Sequence, residues 1–237
     1  MSNPYADNVS DAKSLLNGGE ATLNRRKAMI ATLGVGYAAS VIPELSHAAI
    51  STSGSGLVEG EISVDVNGFA VPVYRSMPKG NGPFPVVLVL SEIFGVHEHI
   101  ADITRRFAKL GYMALAPELF IRQGDAQGYA VMADLMKEVI NKVPDAQVMQ
   151  DLDAVVAWAG ANGGDLNRLG VTGFCWGGRQ TWLYAAHQPK IKAGVAWYGR
   201  LVGDTSERTL KQPVDIAGAL NGPVLGCLLY TSPSPRD

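Results

Sequence analysis

Cysteine and histidine are scarce in this 237-residue chain, with two of the first and four of the second. The two cysteines have no close spacing, which excludes a zinc knuckle, a C-x-x-C redox pair and a disulfide framework. No H-E-x-x-H is present. His97 and His99 lie two residues apart, a spacing that on a helix sends side chains to different faces, so no metal site is expected. Charge is also thin, at 18% of residues with a net of -2, which excludes a basic face for nucleic acid and a surface for acidic substrates. Long apolar runs are missing as well. The uncharged run Ala28–Ile42 is too short and too weakly apolar for a stable membrane span. No repeat is visible. What remains to be explained is a single cysteine in an unusual context.

That context is Arg168–His187, RLGVTGFCWGGRQTWLYAAH. The apolar run Leu169–Thr172, with β-branched Val171 and Thr172, reads as a buried strand. Gly173-Phe174-Cys175-Trp176-Gly177-Gly178 follows, and then a helical pattern. This is the G-x-nucleophile-x-G turn with cysteine in place of serine, in which flanking glycines let the chain reverse and hold the central side chain out at the strand end. A thiol at a helix N-terminus is expected to favour thiolate. The plain alternative is a buried structural cysteine beside an ordinary strand-to-helix loop.

The rest of the chain supplies a frame for that turn. Polar residues 1–24 precede Arg25-Arg26, the uncharged run Ala28–Ile42, and Ser46-His47-Ala48. A paired arginine, a modest apolar core and a small-x-small site together resemble a twin-arginine export signal, cut near Ala48. The twin-arginine export machinery is then a partner and the periplasm the working location; a retained cytoplasmic helix is the rival. EISVDV and FAVPVY flank Asn67-Gly68, the pattern of a hairpin. Val86–Leu90 is a continuous apolar run, as in a central parallel strand. Ile100, Ile103, Phe107 and Leu110 mark a helix face capped by Gly111. Met113–Ala116 is the next strand. Helices are expected around Tyr129–Asn141 and Ala146–Ala159, with further strands at Ala193–Tyr198 and from Pro223. Strands alternating with helices predict an α/β fold with a mostly parallel sheet and helices on both faces.

In such sheets the reactive groups collect at the carboxyl ends of the strands. Glu92 lies just past VVLVL, Arg122 follows Met113–Ala116, and Tyr198 ends AGVAWY. Glu92, followed by apolar Ile93 and Phe94, is costly to bury unpaired, and the thiol is one partner for it; an exposed loop carboxylate is the other reading. Arg122 either grips a substrate carboxylate through its guanidinium fork or is a solvated loop residue. Tyr198 is a pocket residue or a core aromatic. The backbone N–H groups of Trp176 and Ile93 are candidates for an oxyanion hole. His187 closes the helix after the turn, a helix length from Cys175, and is not a candidate base.

GFCWGG, SEIFGVHEHI, LAPELFIRQGD and VAWYG, in this order, resemble the dienelactone hydrolase (carboxymethylenebutenolidase) family from about Glu59 to Gly226. The resemblance implies an α/β-hydrolase fold and opening of an unsaturated enol-lactone by a Cys-His-Asp triad, without a cofactor. It implies Cys175 as nucleophile and Glu92 as the carboxylate that pairs with and activates the thiol. It further implies Ile93 and Trp176 as oxyanion donors, Arg122 as a substrate-carboxylate contact and Tyr198 as pocket lining. The triad Asp and His are expected after the strand beginning at Pro223, and the chain departs from the pattern there. Cys227–Asp237, CLLYTSPSPRD, matches an in-frame translation of a transposase-type sequencing adaptor and reads as a non-native tail. The expected organisation is thus an export signal at 1–48, an incomplete hydrolase domain at 49–226, and the tail. As written, the polypeptide lacks its general base. A non-catalytic α/β-hydrolase-like binding protein is the alternative from another class. The sequence leaves the oligomeric state open.

Overall fold

A computed structural model describes residues 51–228, so the export-like segment and most of the tail lie outside the described residues. The first two strands, β1 (Leu57–Val66) and β2 (Phe69–Pro78), pair antiparallel. Asn67 at φ 56° and Gly68 at φ 84° make the turn between them. Two consecutive positive φ values are what a two-residue hairpin matched to strand twist requires.

The strands β3 (Phe84–Leu90), β4 (Met113–Pro117), β5 (Gly164–Phe174), β6 (Ile191–Trp197) and β7 (Val224–Cys227) complete a seven-stranded sheet of order β1-β2-β4-β3-β5-β6-β7. β2 meets β4 antiparallel, and every pairing from β4 to β7 is parallel. Helices α1 (Glu98–Lys109), α2 (Met132–Glu138), α3 (Asp145–Ala161), α4 (Trp176–His187) and the single turn α5 (Pro213–Ile216) lie between the strands.

Side-chain alternation on β3 shows which helix covers which face. Val86, Leu88 and Leu90 join the main core with Val148 and Leu152 of α3 and Tyr184 of α4. Val89 points the other way and packs with Ala116 and Ile100 of α1. Successive strand residues face opposite sides, so α1 covers one face and α3 and α4 the other. Connections here follow from handedness. The chain leaves β3 towards β4 and leaves β5 towards β6, in opposite directions along the sheet, so right-handed crossovers fall on opposite faces. The gap between the carboxyl ends of β3 and β5 is the crevice where such sheets hold reactive groups.

On the α1 face a cleft of about 650 Å³ runs along β5 and β6, lined by Val87, Ile103, Phe107, Phe174, Val195 and Trp197 among others. Neither Cys175 nor Glu92 lines it.

Three local expectations are corrected. Leu110 is not on the buried face of α1; it follows the last helical residue and is 74% exposed. The helix expected over Tyr129–Asn141 is only Met132–Glu138, set between short 3-10 turns at Ala126–Gly128 and Ile140–Lys142. β5 starts at Gly164, five residues before the apolar run, because its first residues pair with Phe84 and Pro85 of β3. Cys227 is the last residue of β7 and pairs with Trp197, while Leu229 onward lies outside the described residues.

Candidate functional site

Cys175 sits at the junction of β5 and α4 with φ 53° and ψ -110°, a backbone region that side chains rarely enter. The surroundings hold it there. Its N–H donates to Trp197 O of β6 at 2.9 Å, and Gly177 N–H donates to Ser91 O at the end of β3 at 3.1 Å. A Cβ on Gly177 would stand 2.4 Å from Leu90 O, and one on Gly178 would stand 2.6 Å from Trp197 O. The start of α4 is therefore pressed against the ends of two strands at a distance only glycine allows. The trapped turn holds the thiol at the crevice between β3 and β5.

The thiol itself runs against expectation. Burial pushes the Cys175 thiol up, and the nearby Glu92 charge adds to that; a hydrogen bond from Trp176 N–H pulls the other way and does not prevail. The helix N-terminus was expected to favour thiolate, but desolvation of the sulfur outweighs it. Trp176 is thus placed with its N–H towards the sulfur, and its ring rests on Phe120 with centroids 4.7 Å apart.

Glu92 is 1% exposed, and its Oε2 lies 3.1 Å from His97 Nε2. Ile93, next along, is half-buried and packs on the main core. Glu118, two residues before the end of PELF, accepts Val96 N–H through Oε2 at 2.8 Å, while its Oε1 is buried without a hydrogen-bond partner. Burial pushes the Glu118 carboxyl above its usual range, with His97 and the Val96 bond acting against it. So the loop from Ser91 to His97 is held between two buried carboxylates.

His97 and His99 do not diverge as expected. His97 is the residue before α1 rather than part of it, and the two rings stack with centroids 6.2 Å apart at 15°. Among the described residues there is no group of three or more His, Cys, Asp and Glu able to hold a metal ion, and no helix long and apolar enough to cross a membrane.

Arg122 is tied down. Its Nη1 donates to Asp151 Oδ2 at 2.6 Å, and its guanidinium lies 4.4 Å from the centroid of Phe69. Asp151 is buried on α3, and burial raises its carboxyl while Arg122 opposes the rise. Tyr198 follows β6 at φ 42°; its N–H donates to Cys227 O at 2.7 Å and its ring lies 6.4 Å from Phe174. His187 Nε2 is 2.7 Å from Asp153 Oδ2 at the far end of α4, about 17 Å along the helix from Cys175. Cys175, Trp176 and Glu92 are therefore brought together, and Arg122 arrives already engaged with Asp151.

The family model of the "Dienelactone hydrolase family" matches residues 71–229. The chain belongs to the dienelactone hydrolase family. A protein of Methylorubrum extorquens named "Putative carboxymethylenebutenolidase" is 54% identical over 218 residues, 92% of this chain and 74% of that one. One of the same name from Escherichia coli K12 is 52% identical over 199 residues, 84% of this chain and 73% of the relative. The crystal structure of a "Putative Dienelactone Hydrolase" from Klebsiella pneumoniae superposes with a TM-score of 0.70 at 57% identity, covering 72% of this chain and 71% of that one. The fold is therefore that of an α/β-hydrolase.

Within this dienelactone hydrolase domain the sequence did not reveal two residues that hold the Glu92 loop, His97 and Glu118. His97 was dismissed by a helical-spacing argument that does not apply one residue outside the helix. Glu118 carried a usable signal, since it directly follows a strand at its carboxyl end, as Glu92 nearly does.

Proposed function

We propose that this member of the family is a hydrolase of small lactones or esters, with a dienelactone-like enol-lactone as substrate and Cys175 as nucleophile. The observation that carries the reading is the strained turn that presents Cys175 beside the Trp176 N–H and the Glu92 carboxylate. At rest the thiol is protonated, so attack needs its proton removed; the Glu92 carboxylate is the acceptor. The freed sulfur bonds to the lactone carbonyl carbon while the carbonyl oxygen becomes an oxyanion facing the Trp176 and Ile93 N–H groups. Collapse breaks the ring C–O bond and expels an enolate, an easier leaving group than an alkoxide. Water then cleaves the thioester to the acid and returns the thiol. Arg122 meets a substrate carboxylate with the N–H groups that Asp151 does not take, and Tyr198 lines the pocket. No cofactor enters these steps.

Deacylation requires a base for water, and among the described histidines none hydrogen-bonds Cys175. Cys227–Asp237 is of non-native origin in this reading, and the folded domain is exported to the periplasm through the twin-arginine route. Resequencing the locus tests the tail: a genomic stop after Asp237 sinks its adaptor origin. An Arg25→Lys, Arg26→Lys signal that still exports a reporter sinks the route. For the chemistry, hydrolysis of dienelactone or an aryl ester by the complete gene product should fall at least about 10³-fold in Cys175→Ala. Turnover that survives this change would favour a binding protein or another nucleophile.

A further inference from the structure

His97 touches the Glu92 carboxylate, yet the lactone-opening steps above have no use for it. Its Nε2 is 3.1 Å from Glu92 Oε2, and Glu92 is 1% exposed, so this contact is made away from water. Its ring is stacked on His99 and stands just before α1, where the first helical turn fixes the backbone. The Gly95–Val96 peptide just before it is anchored in turn by Glu118, which accepts Val96 N–H. We propose that His97 is a positioning residue of this site: it holds the Glu92 carboxylate, and its proton sets how strongly that carboxylate acts on the Cys175 thiol. The inference rests on Cys175 being the reactive thiol.

The physical basis is charge counting in a buried cluster. With His97 protonated, the Glu92–His97 pair is neutral overall, and a thiolate forms beside a neutral pair. With His97 neutral, the pair carries a full negative charge, and a thiolate forms against it. Imidazole is the side chain that can carry or release a proton between about pH 5 and 8. The other groups that face His97 are Glu118, whose charge interacts with it, and the stacked His99. Asp125 and Glu61 act on the cluster through Glu118. Cys175 feels Glu92 directly. Glu98, next to His97, is instead engaged by Arg105.

The test reads the thiol without needing turnover. The chain carries two cysteines, so Cys227→Ser leaves Cys175 as the single target. Its reaction with 2,2′-dithiodipyridine, which captures thiolate in acid as well as neutral solution, is followed across pH. With His97→Gln or His97→Asn the logarithm of the rate should climb with unit slope. With histidine present it should lie about threefold to tenfold above that line at pH 5 and meet it near pH 8. A straight unit-slope profile in the Cys227→Ser chain that keeps His97 overturns the proposal, and needs no change at His97 or Glu92. A merely structural role would shift the whole line without bending it, which also overturns the proposal. An offset found in a protein without esterase activity would sink the hydrolase reading and leave this one standing. Hydrolysis that depends on Cys175 with a straight profile would do the reverse.

Discussion

At Cys175 three influences act on one proton: burial and the Glu92 charge raise the thiol, and the Trp176 N–H lowers it. A helix N-terminus contributes only a fraction of a charge, whereas removing a sulfur anion from water costs the full solvation of that anion. The same competition governs Glu118, raised from its ordinary 4.5 chiefly by burial. Its effect on stability has a definite sign. Between the unfolded value of 4.5 and the higher folded value, the unfolded chain has released the proton that the folded chain still holds. Stability from this residue is thus full below that window and lost as pH rises through it. Glu118→Gln keeps an acceptor for Val96 N–H and removes the titration. The stability of the natural protein relative to this variant should be greater near pH 4 than at pH 7, measured by urea unfolding. An equal difference at both pH values would show that the carboxyl is solvated. These residue-level facts were hardly legible in the sequence. Glu92 was recognisable from its place after an apolar strand, but its partner His97 was not, because the contact depends on where α1 begins.

Elements whose logic is local were legible, and those that depend on a distant partner were not. Asn67-Gly68 between alternating runs gave the β1–β2 hairpin, since two positive φ values are a local requirement. VVLVL gave β3 because a strand covered on both faces has apolar residues throughout. The early start of β5 was invisible, since Gly164–Asn167 carry no strand pattern and are ordered by β3 alongside. Leu110 was misplaced because the spacing rule assumed one more turn of α1. The elbow was readable as a motif, although its tightness belongs to the packing. Gly178→Ala places a methyl group 2.6 Å from Trp197 O and 3.0 Å from Gly199 Cα, both backbone atoms that cannot rotate away. We expect this substitution to cost about 1–3 kcal/mol and to lower the melting temperature. An unchanged melting temperature would mean that α4 shifts freely against β6.

Seven strands and the helices on their two faces make β3 the centre of the molecule, with β4 on one side and β5 on the other. Leu88 is fully buried there and part of the main core. Leu88→Ala should destabilise the domain by about 2–5 kcal/mol, read from chemical denaturation, with the higher figure if the space does not collapse. The mostly parallel sheet with helices on both faces was legible from alternation, whereas the open cleft along β5 and β6 was not, because it reflects how far each helix extends over its face. One feature of β3 bears on how the protein can be handled. Its amino end is reached through Lys79–Gly82, an exposed stretch between Pro78 and Phe84, and its carboxyl end leads into Ser91 and Glu92. Seven strand residues separate the two ends, a distance of about 23 Å. A tag or surface anchor spliced at Asn81 would therefore tether the molecule by the pole opposite its thiol, leaving the reactive end turned to solution.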